Sequence, residues 1–252
     1  MRDQGSVHTV ARALDMLTAF EPDRQELAIR DFAVLLDVHK STASRIAATL
    51  LSRGYLQRGS ENGSFRLGPE AARIGLLAVG GRAFAEAARP TLEALAAETG
   101  ETVVLSVPAG TEALDVAQAD SRYRIGTTSW IGRRTPLHAS SDGKVLLSFE
   151  AARLPPGRLA ALAPGTITSR TALRRELDQI RARGWARALG ECEDGLNGVA
   201  SPIFARDGEC VGALSVSGPA YRMPGERLDE LAPLTVAAAG TIGARLDARA
   251  AA

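Results

Sequence analysis

The sequence is poor in several residue types, and each shortage argues against a class of protein. Its 252 residues include only two cysteines, Cys192 and Cys210, and these form no Cys-x-x-Cys pair. The three histidines, His8, His39 and His138, lie far apart and show no metal-ligand spacing. A disulfide framework and a structural zinc site are therefore not expected. We expect a protein that needs no metal and no cofactor.

Long hydrophobic runs and a large net charge are also missing. The longest uncharged run, Leu231 to Ala244, contains Pro233 and is shorter than the roughly 20 residues that cross a bilayer. Arg12 and Asp15 interrupt the apolar residues near the start, which is unlike a signal peptide. We expect a cytoplasmic protein with no membrane partner. The formal net charge is +1, so any surface for nucleic acid must be a local basic patch.

The residues that are present suit a globular chain of one large domain or two small ones. Hydrophobic residues make up 45% and charged residues 23%, but aromatic residues only 4%. The cores must therefore consist mainly of Ala, Leu, Val and Ile.

The first eighty residues predict three helices and a hairpin. The segments SVHTVARALDMLTAF and LAIRDFAVLLD have apolar residues at helical spacing. The apolar positions of these first two helices are Val7, Val10, Leu14 and Leu17, and Ile29, Phe32, Leu35 and Leu36. A third helix, STASRIAATLLSRG, ends at Gly54. The runs YLQR and SFRL then flank Asn62-Gly63, a strong hairpin signal.

The third predicted helix has two unlike sides. Its apolar side contains Ala43, Ile46, Ala47, Leu50 and Leu51. Its other side is small and hydroxylated, with one arginine: Ser41, Ser44, Arg45, Ala48, Thr49 and Ser52. Residues 39–68 contain five basic residues against Glu61 alone, a local balance of 5 − 1 = +4. A solvated helix more often has acid–base pairs on such a side.

Three helices followed by a hairpin predict a winged helix-turn-helix, in which the third helix enters the major groove and the hairpin touches the backbone. We predict that Lys40, Ser41 and Thr42 hold phosphates. The predicted base-facing residues are Ser44, Arg45 and Thr49, and the predicted wing contacts are Arg58 and Arg66. The alternative is a small helical domain that binds protein.

The rest of the chain predicts an α+β domain around an antiparallel sheet, with helices covering one face. The helices are AFAEAARPTLEALAAETG, TALRRELDQIRARGW and the final segment from Glu226. The strand candidates are ETVVLSVPAG, TEALDVAQAD, the extended IGTTSWIGRRTPL, and GVASPIFARDGECVGALSVSGP, which turns at Asp207-Gly208.

The stretch HASSDGKVLL looks at first like a catalytic motif. Ser141 and Lys144 have S-x-x-K spacing, and His138 precedes them. A hydrolase or acyl transferase that uses these three residues is one alternative. However, the S-D-N and K-T-G elements of such transferases are absent, and so are a phosphate loop and a G-x-S-x-G elbow. We therefore expect no enzyme.

A binding role explains the same stretch better. It reads as a helix start, and free amides at a helix N-terminus attract an anion such as a small carboxylate. The amides in question belong to Ser140, Ser141, Asp142 and Gly143. Either Ser140 or Ser141 could also cap the helix.

Several motifs resemble the IclR family of bacterial transcriptional regulators. They are SVHTVARALDMLTAF, HKSTASRIAATLLSRGYL, FRLGPEAARIG, TPLHASSDGKVLLS and GVASPIFARDGECVGALSVSGP. The resemblance covers nearly the whole chain. It implies a winged helix-turn-helix over 1–68, a linker helix over 69–82 and a GAF-like effector-binding, oligomerising domain over 83–252. It also implies a ligand-responsive regulator, most simply a repressor. Such a regulator would bind an inverted-repeat operator as a homodimer or dimer of dimers.

The resemblance also implies an effector site. In the family, backbone amides of the turn and polar side chains of two late strands line the pocket. By motif, these positions fall on Ser141, Asp142, Ser215 and Ser217. The remaining alternative is a GAF-like sensor whose helical domain binds protein rather than DNA.

Three positions depart from the pattern of the family's glyoxylate and pyruvate responders. Ala188 stands where those have an acid, Gly198 where they have a cysteine, and Asp142 where they have a small residue. These departures favour a larger, more apolar effector, which we expect to be an aromatic carboxylic acid. Trp130 and Tyr123 are candidate walls of its pocket, and Asp142 could face a hydroxyl or amine of the ligand.

Overall fold

The computed structural model describes residues 7–21, 24–60, 63–71, 74, 81–123 and 129–250. The chain divides into two compact units, one up to residue 82 and the other from residue 83. Each unit has its own hydrophobic core.

The N-terminal unit is a three-helix domain with a small sheet. Its elements are α1 His8–Thr18, β1 Leu27–Ala28, α2 Ile29–Leu35, α3 Lys40–Ser52, β2 Leu56–Arg58 and β3 Ser64–Leu67. The strands pair antiparallel in the order β1-β3-β2. This confirms the predicted winged helix-turn-helix. Strand β1 was not predicted, because two residues ahead of a helix leave no period-2 pattern to read.

The core of this unit corrects part of the predicted apolar faces. Met16 and Phe32 are fully buried, whereas Val10 and Leu14, two of the apolar positions at helical spacing, are 55% and 57% exposed. Leu35, on the apolar face of the second helix, is 56% exposed, and Ala33 is buried. Helical spacing identifies an apolar stripe, but a short helix packs through only part of it.

The second unit is an α+β domain. Its elements are α4 Gly81–Thr99, β4 Thr102–Ala109, β5 Glu112–Ala119, β6 Arg134–Pro136, α5 Ser141–Ser148, α6 Arg170–Arg183, β7 Ala186–Leu189, β8 Leu196–Phe204, β9 Cys210–Pro219 and α7 Gly225–Ala250. Six strands form one antiparallel sheet in the order β6-β5-β4-β9-β8-β7. Strand β7 was not predicted. Gly184, in the left-handed region at φ 85°, ends α6 as expected.

Helices cover both faces of this sheet, so the prediction of one covered face was wrong. Residues such as Leu214 and Val216 pack in one core with apolar residues of α4 and α7. The opposite face packs in a second core with α5 and α6, through small residues such as Ala113, Ala200 and Ala213. Because alanine adds little to an alternating pattern, the sequence showed only the larger face.

Some predicted features fall outside the described residues. They are most of the linker helix, of which residues 69–71, 74, 81 and 82 are described and helical, Asn62 of the hairpin turn, and residues 124–128 of the predicted extended segment. In the described part of the chain, none of the helices has the length and hydropathy needed to cross a membrane.

Candidate functional site

The exposed side of α3 is the one that the sequence predicted. Ala43, Ile46, Ala47 and Leu50 are buried. Lys40, Ser41, Ser44, Arg45 and Thr49 are exposed, and Thr42 is half-buried. His39 precedes the helix, and its Nδ1 accepts a hydrogen bond from the Ser41 amide at 3.3 Å. Among the described residues, neither Lys40 nor Arg45 has an ion pair, so both cations can meet phosphates or base edges.

The two wing arginines occupy different sides of the hairpin. Arg58 pairs with Phe65 across the strands, and Gln57 pairs with Arg66. Paired residues share a face and neighbours alternate, so Arg58 and Arg66 point to opposite faces. The Arg58 guanidinium lies over the Phe65 ring, 4.7 Å from its centroid. A DNA backbone along one face of the wing would therefore meet one arginine directly.

A recess lies on the face of the large sheet that α5 and α6 cover. Its empty volume of about 450 Å³ includes space open to solvent, and the space that the centre of a water molecule can reach is only about 40 Å³. The predicted effector residues that line it are Trp130, Ser140, Ser141, Asp142, Gly198, Ser215 and Ser217. Ala188, named for its departure from the family pattern, also lines it. Gly143 and Tyr123 are not part of the lining.

The N-terminus of α5 opens into this recess. Ser140 is the N-cap, and its hydroxyl accepts a hydrogen bond from the Gly143 amide at 3.1 Å. The amide of Gly143, one of the predicted effector-binding residues, is therefore already bonded within the cap. Within the described residues, the Ser141 and Asp142 amides have no hydrogen-bond partner. These two donors lie at the positive end of the helix, where an anion binds favourably.

Gly198 leaves space between two hydroxyl groups. It pairs with Ser217 across β8 and β9. A Cβ atom at Gly198 would lie 2.7 Å from the Ser217 Oγ and 3.1 Å from the Ser141 Oγ. Any side chain here would fill the gap that these hydroxyls border. The glycine thus keeps open one end of the recess, defined by Ser141, Gly198 and Ser217 and called the serine end below.

Asp115, which the sequence reading missed, lies in the same recess. It is 4% exposed, and the Ser106 hydroxyl donates to its Oδ1 at 2.7 Å. Burial, reinforced by the negative charge of Asp142, raises the pKa of Asp115 to about 8, although the Ser106 hydrogen bond and Arg133 act in the opposite direction. The sequence does contain a signal for Asp115, because this acid falls among the inward-facing positions of the strand TEALDVAQ.

The residues of the suspected catalytic motif are engaged elsewhere. Lys144 is fully buried; its Nζ lies 2.7 Å from Glu191 Oε1 and 3.8 Å from Glu176 Oε1. His138 Nε2 is 2.9 Å from the Ala160 carbonyl oxygen. In the described part of the chain, no hydrogen bond connects Ser141 to either residue. A lysine whose side chain contacts Glu191 and Glu176 rather than Ser141 is not placed to act as a base for that serine.

The Lys144–Glu191 pair fixes the recess wall. Glu191 precedes Cys192, which lines the recess. Burial raises the pKa of Glu191, although Lys144 lowers it, and Glu191 Oε2 has no hydrogen-bond partner among the described residues. The pair therefore ties α5 to the segment between β7 and β8. No group of three or more histidine, cysteine or acidic side chains suited to a metal occurs in the described ranges.

Comparison with known proteins finds a matching family model for each of the two units. The bacterial transcriptional regulator IclR C-terminal model matches residues 77–244, and the IclR helix-turn-helix model matches residues 9–60. The HTH-type transcriptional regulator BhcR of Paracoccus denitrificans is 35% identical over 94% of this chain and 86% of its own. XynR of Escherichia coli is 34% identical over 84% of this chain and 86% of its own.

A solved structure shows the same fold with a ligand bound. An IclR homologue from Microbacterium hydrocarbonoxydans, complexed with 4-hydroxybenzoate, aligns with a TM-score of 0.79 and 27% identity, over 95% of this chain and 99% of its own. The family models and the two curated relatives together cover both units. The chain belongs to the IclR family of bacterial transcriptional regulators and is not an enzyme.

Proposed function

We propose that this regulator reads an inverted-repeat operator through α3 and responds to a small carboxylic acid bound in the recess. The observation that carries the first part is the exposed side of α3, where Ser44, Arg45 and Thr49 lie together with no acid among them. Arg45 and its neighbours would contact base edges, and Lys40, Ser41 and Thr42 would hold phosphates. Arg66 or Arg58 of the wing would add a backbone contact.

Two features of the recess favour a carboxylate as the effector. Free amides of Ser141 and Asp142 point from the N-terminus of α5, and the hydroxyls of Ser141 and Ser217 border the gap at Gly198. A carboxylate placed there would receive hydrogen bonds from amides and hydroxyls. Trp130 lines the recess and offers an aromatic ring an apolar wall. The chemistry of this lining suits an aromatic acid, and the related solved protein is complexed with 4-hydroxybenzoate.

The regulator would act as a homodimer or dimer of dimers, because a two-fold protein matches an inverted repeat with half-sites about one DNA turn apart. It would work in the cytoplasm, where bacterial DNA lies. Repression is the favoured mode, since AllR of Escherichia coli, 28% identical over 89% of this chain, is named a repressor. Effector binding would change operator affinity by a coupling free energy of about 1–3 kcal/mol.

A gel shift tests the proposal. The DNA is the intergenic fragment beside the protein's own gene, and the ligands are benzoate, 4-hydroxybenzoate and glyoxylate. We expect a complex that weakens steeply with salt, as counterion release requires, and that responds to an aromatic acid. Salt-insensitive or absent DNA binding would favour a protein partner for the helical domain. Tight glyoxylate binding with no response to the benzoates would contradict the proposal that the effector is an aromatic acid.

A further inference from the structure

We propose that Asp115 and Asp142 select effectors that carry a hydroxyl or amino group at the end opposite their carboxylate. This inference rests on the proposed carboxylic acid effector and narrows it to hydroxy and amino acids. It assigns a specificity role to two side chains that lie in one recess but 27 positions apart in the sequence.

The sheet register separates two ends of the recess. Asp115 pairs with Ser106 on β4, and Ser106 pairs with Ala213 on β9. Ser217 lies four residues further along β9, which is about 13 Å at the usual rise of a strand. Asp115 is therefore well away from the serine end, where Ser217 and Gly198 lie. A ligand with its carboxylate at the serine end would direct its other end toward Asp115.

The N-terminus of α5 lies between these ends. A Cβ at Gly198 would be 3.1 Å from the Ser141 Oγ, so Ser141 belongs to the serine end. The next residue, Asp142, lines the recess together with Asp115, and after burial its charge does most to raise the pKa of Asp115. Asp142 and Asp115 therefore form the acid end of the recess. The neighbouring residues Ser141 and Asp142 thus lie at different ends, Ser141 at the serine end and Asp142 at the acid end.

Asp142 offers the recess a carboxylate with no hydrogen-bond donor in the described part of the chain. Its side chain belongs to a residue that is 92% buried and lines the recess. Within the described ranges, its carboxylate has neither a hydrogen bond nor an ion pair. Its oxygens are not among the fully buried atoms that lack a partner, so they are open to the recess, where an O–H or N–H of a ligand can donate to them. This unpartnered group, rather than acidity alone, indicates the class of ligand.

The protonation of the pair suits such a group. With its pKa raised to about 8 by burial and by Asp142, Asp115 holds its proton at pH 7. Asp115 then offers an O–H donor, and the side-chain oxygens of Asp142 offer acceptors. A hydroxyl can donate to Asp142 and accept from Asp115, whereas a C–H group at the same place satisfies neither. Arg133, which lies over the Trp130 ring at 5.4 Å, lowers the pKa of Asp115 and limits the negative potential there.

The test is calorimetric titration of the full-length protein with matched acids. The pairs are 4-hydroxybenzoate and benzoate, 3-hydroxybenzoate and benzoate, 4-aminobenzoate and benzoate, and gluconate and hexanoate. Wild type should bind the donor-bearing member of at least one pair about tenfold or more tightly than its partner, because a site built for a polar group rejects the analogue that lacks it.

Variants separate selection from folding. Asp142→Ala should bring that ratio close to one while the acid without a donor binds at least as tightly as to wild type. Asp115→Asn should reduce the ratio less, because an amide still donates and accepts. The control is Asp178→Asn, an exposed acid on α6, which should leave the ratio unchanged.

Each remaining outcome has a defined meaning. If acids bind wild type without preference for the donor-bearing member, or if Asp142→Ala retains the preference, the inference is wrong and the carboxylic acid effector stands. If no acid of the panel binds wild type, the proposed effector class is wrong, and the inference falls with it.

Discussion

The chain's two lysines lie in the first turns of two helices with opposite surroundings. Lys40 is exposed at the start of α3, with no ion pair among the described residues. Lys144 is fully buried in α5 and paired with Glu191 at 2.7 Å. α3 exposes one complete side, whereas all eight residues of α5 are buried. One helix therefore presents its side chains to a partner, and the other presents its N-terminal amides to a recess.

The difference shows how two kinds of site arise from sequence. The α3 surface is formed by thirteen consecutive residues, so helical geometry alone brings its side chains together. The recess collects residues from Val104 to Ser217, and strand pairing determines which of them meet. Changes to α3 should therefore affect DNA binding with little change in stability, whereas changes around α5 should affect stability, ligand binding or both.

The largest expected effect comes from Lys144→Ala. Removing the ammonium leaves Glu191 buried without its cation, which typically costs about 3–5 kcal/mol. Urea unfolding followed by circular dichroism measures the loss. Lys40→Ala is the matched control and should change stability by less than about 0.5 kcal/mol. Lys144→Met combined with Glu191→Leu should recover much of the stability. Wild-type stability in Lys144→Ala would mean that the pair contributes nothing.

Arg45→Ala should give the next largest effect, on DNA binding alone. Loss of a base contact costs about 1–3 kcal/mol on the operator and much less on random DNA. Fluorescence anisotropy with the two DNAs measures the ratio. Lys40→Ala should weaken both DNAs about equally, as expected for a phosphate contact. An equal loss on both DNAs for Arg45→Ala would make Arg45 a phosphate contact too.

Asp115 should make stability depend on pH. Its pKa is about 8 in the folded protein against an ordinary 3.8, so the folded state holds a proton that the unfolded chain has released. Stability from this group is therefore present below pH 3.8 and is lost as the pH rises toward 8, by at most about 1.4 kcal/mol per pH unit. Urea unfolding at pH 5, 6 and 7 should show a shallower decline for Asp115→Asn. If the stability of Asp115→Asn declines with pH as steeply as that of wild type, the folded protein does not hold the extra proton on Asp115.

Gly198→Ala should have a smaller effect, on ligand binding. The added Cβ would lie 2.7 Å from the Ser217 Oγ and occupy the serine end. We expect about tenfold weaker acid binding by calorimetry, which corresponds to about 1.4 kcal/mol. Gly240→Ala, on an exposed position of α7 with no heavy atom within 4 Å of its added Cβ, is the control. If Gly198→Ala binds the acid as tightly as wild type does, the ligand carboxylate does not bind at the serine end.

The sequence predicted local structure well and long-range assembly less well. The exposed side of α3 and the hairpin β2–β3 follow from helical spacing and a turn signal within a few residues. The cap by Ser140 was one of two options, since adjacent serines are equivalent in sequence. Asp115 and Asp142 could not be paired from the sequence, because a strand and a helix terminus meet there only after the sheet forms. The second covered sheet face escaped notice because alanines line it.

The most direct test of the account is operator affinity with and without ligand, measured for wild type and Asp142→Ala on the same DNA. The account predicts that the donor-bearing acid that binds most tightly in calorimetry shifts the wild-type affinity by about five- to 150-fold, the usual range of a coupling between two sites. Its matched acid without the hydroxyl or amino group should shift it far less at the same concentration, and Asp142→Ala should no longer distinguish the two acids. An operator affinity that no acid changes would contradict the account.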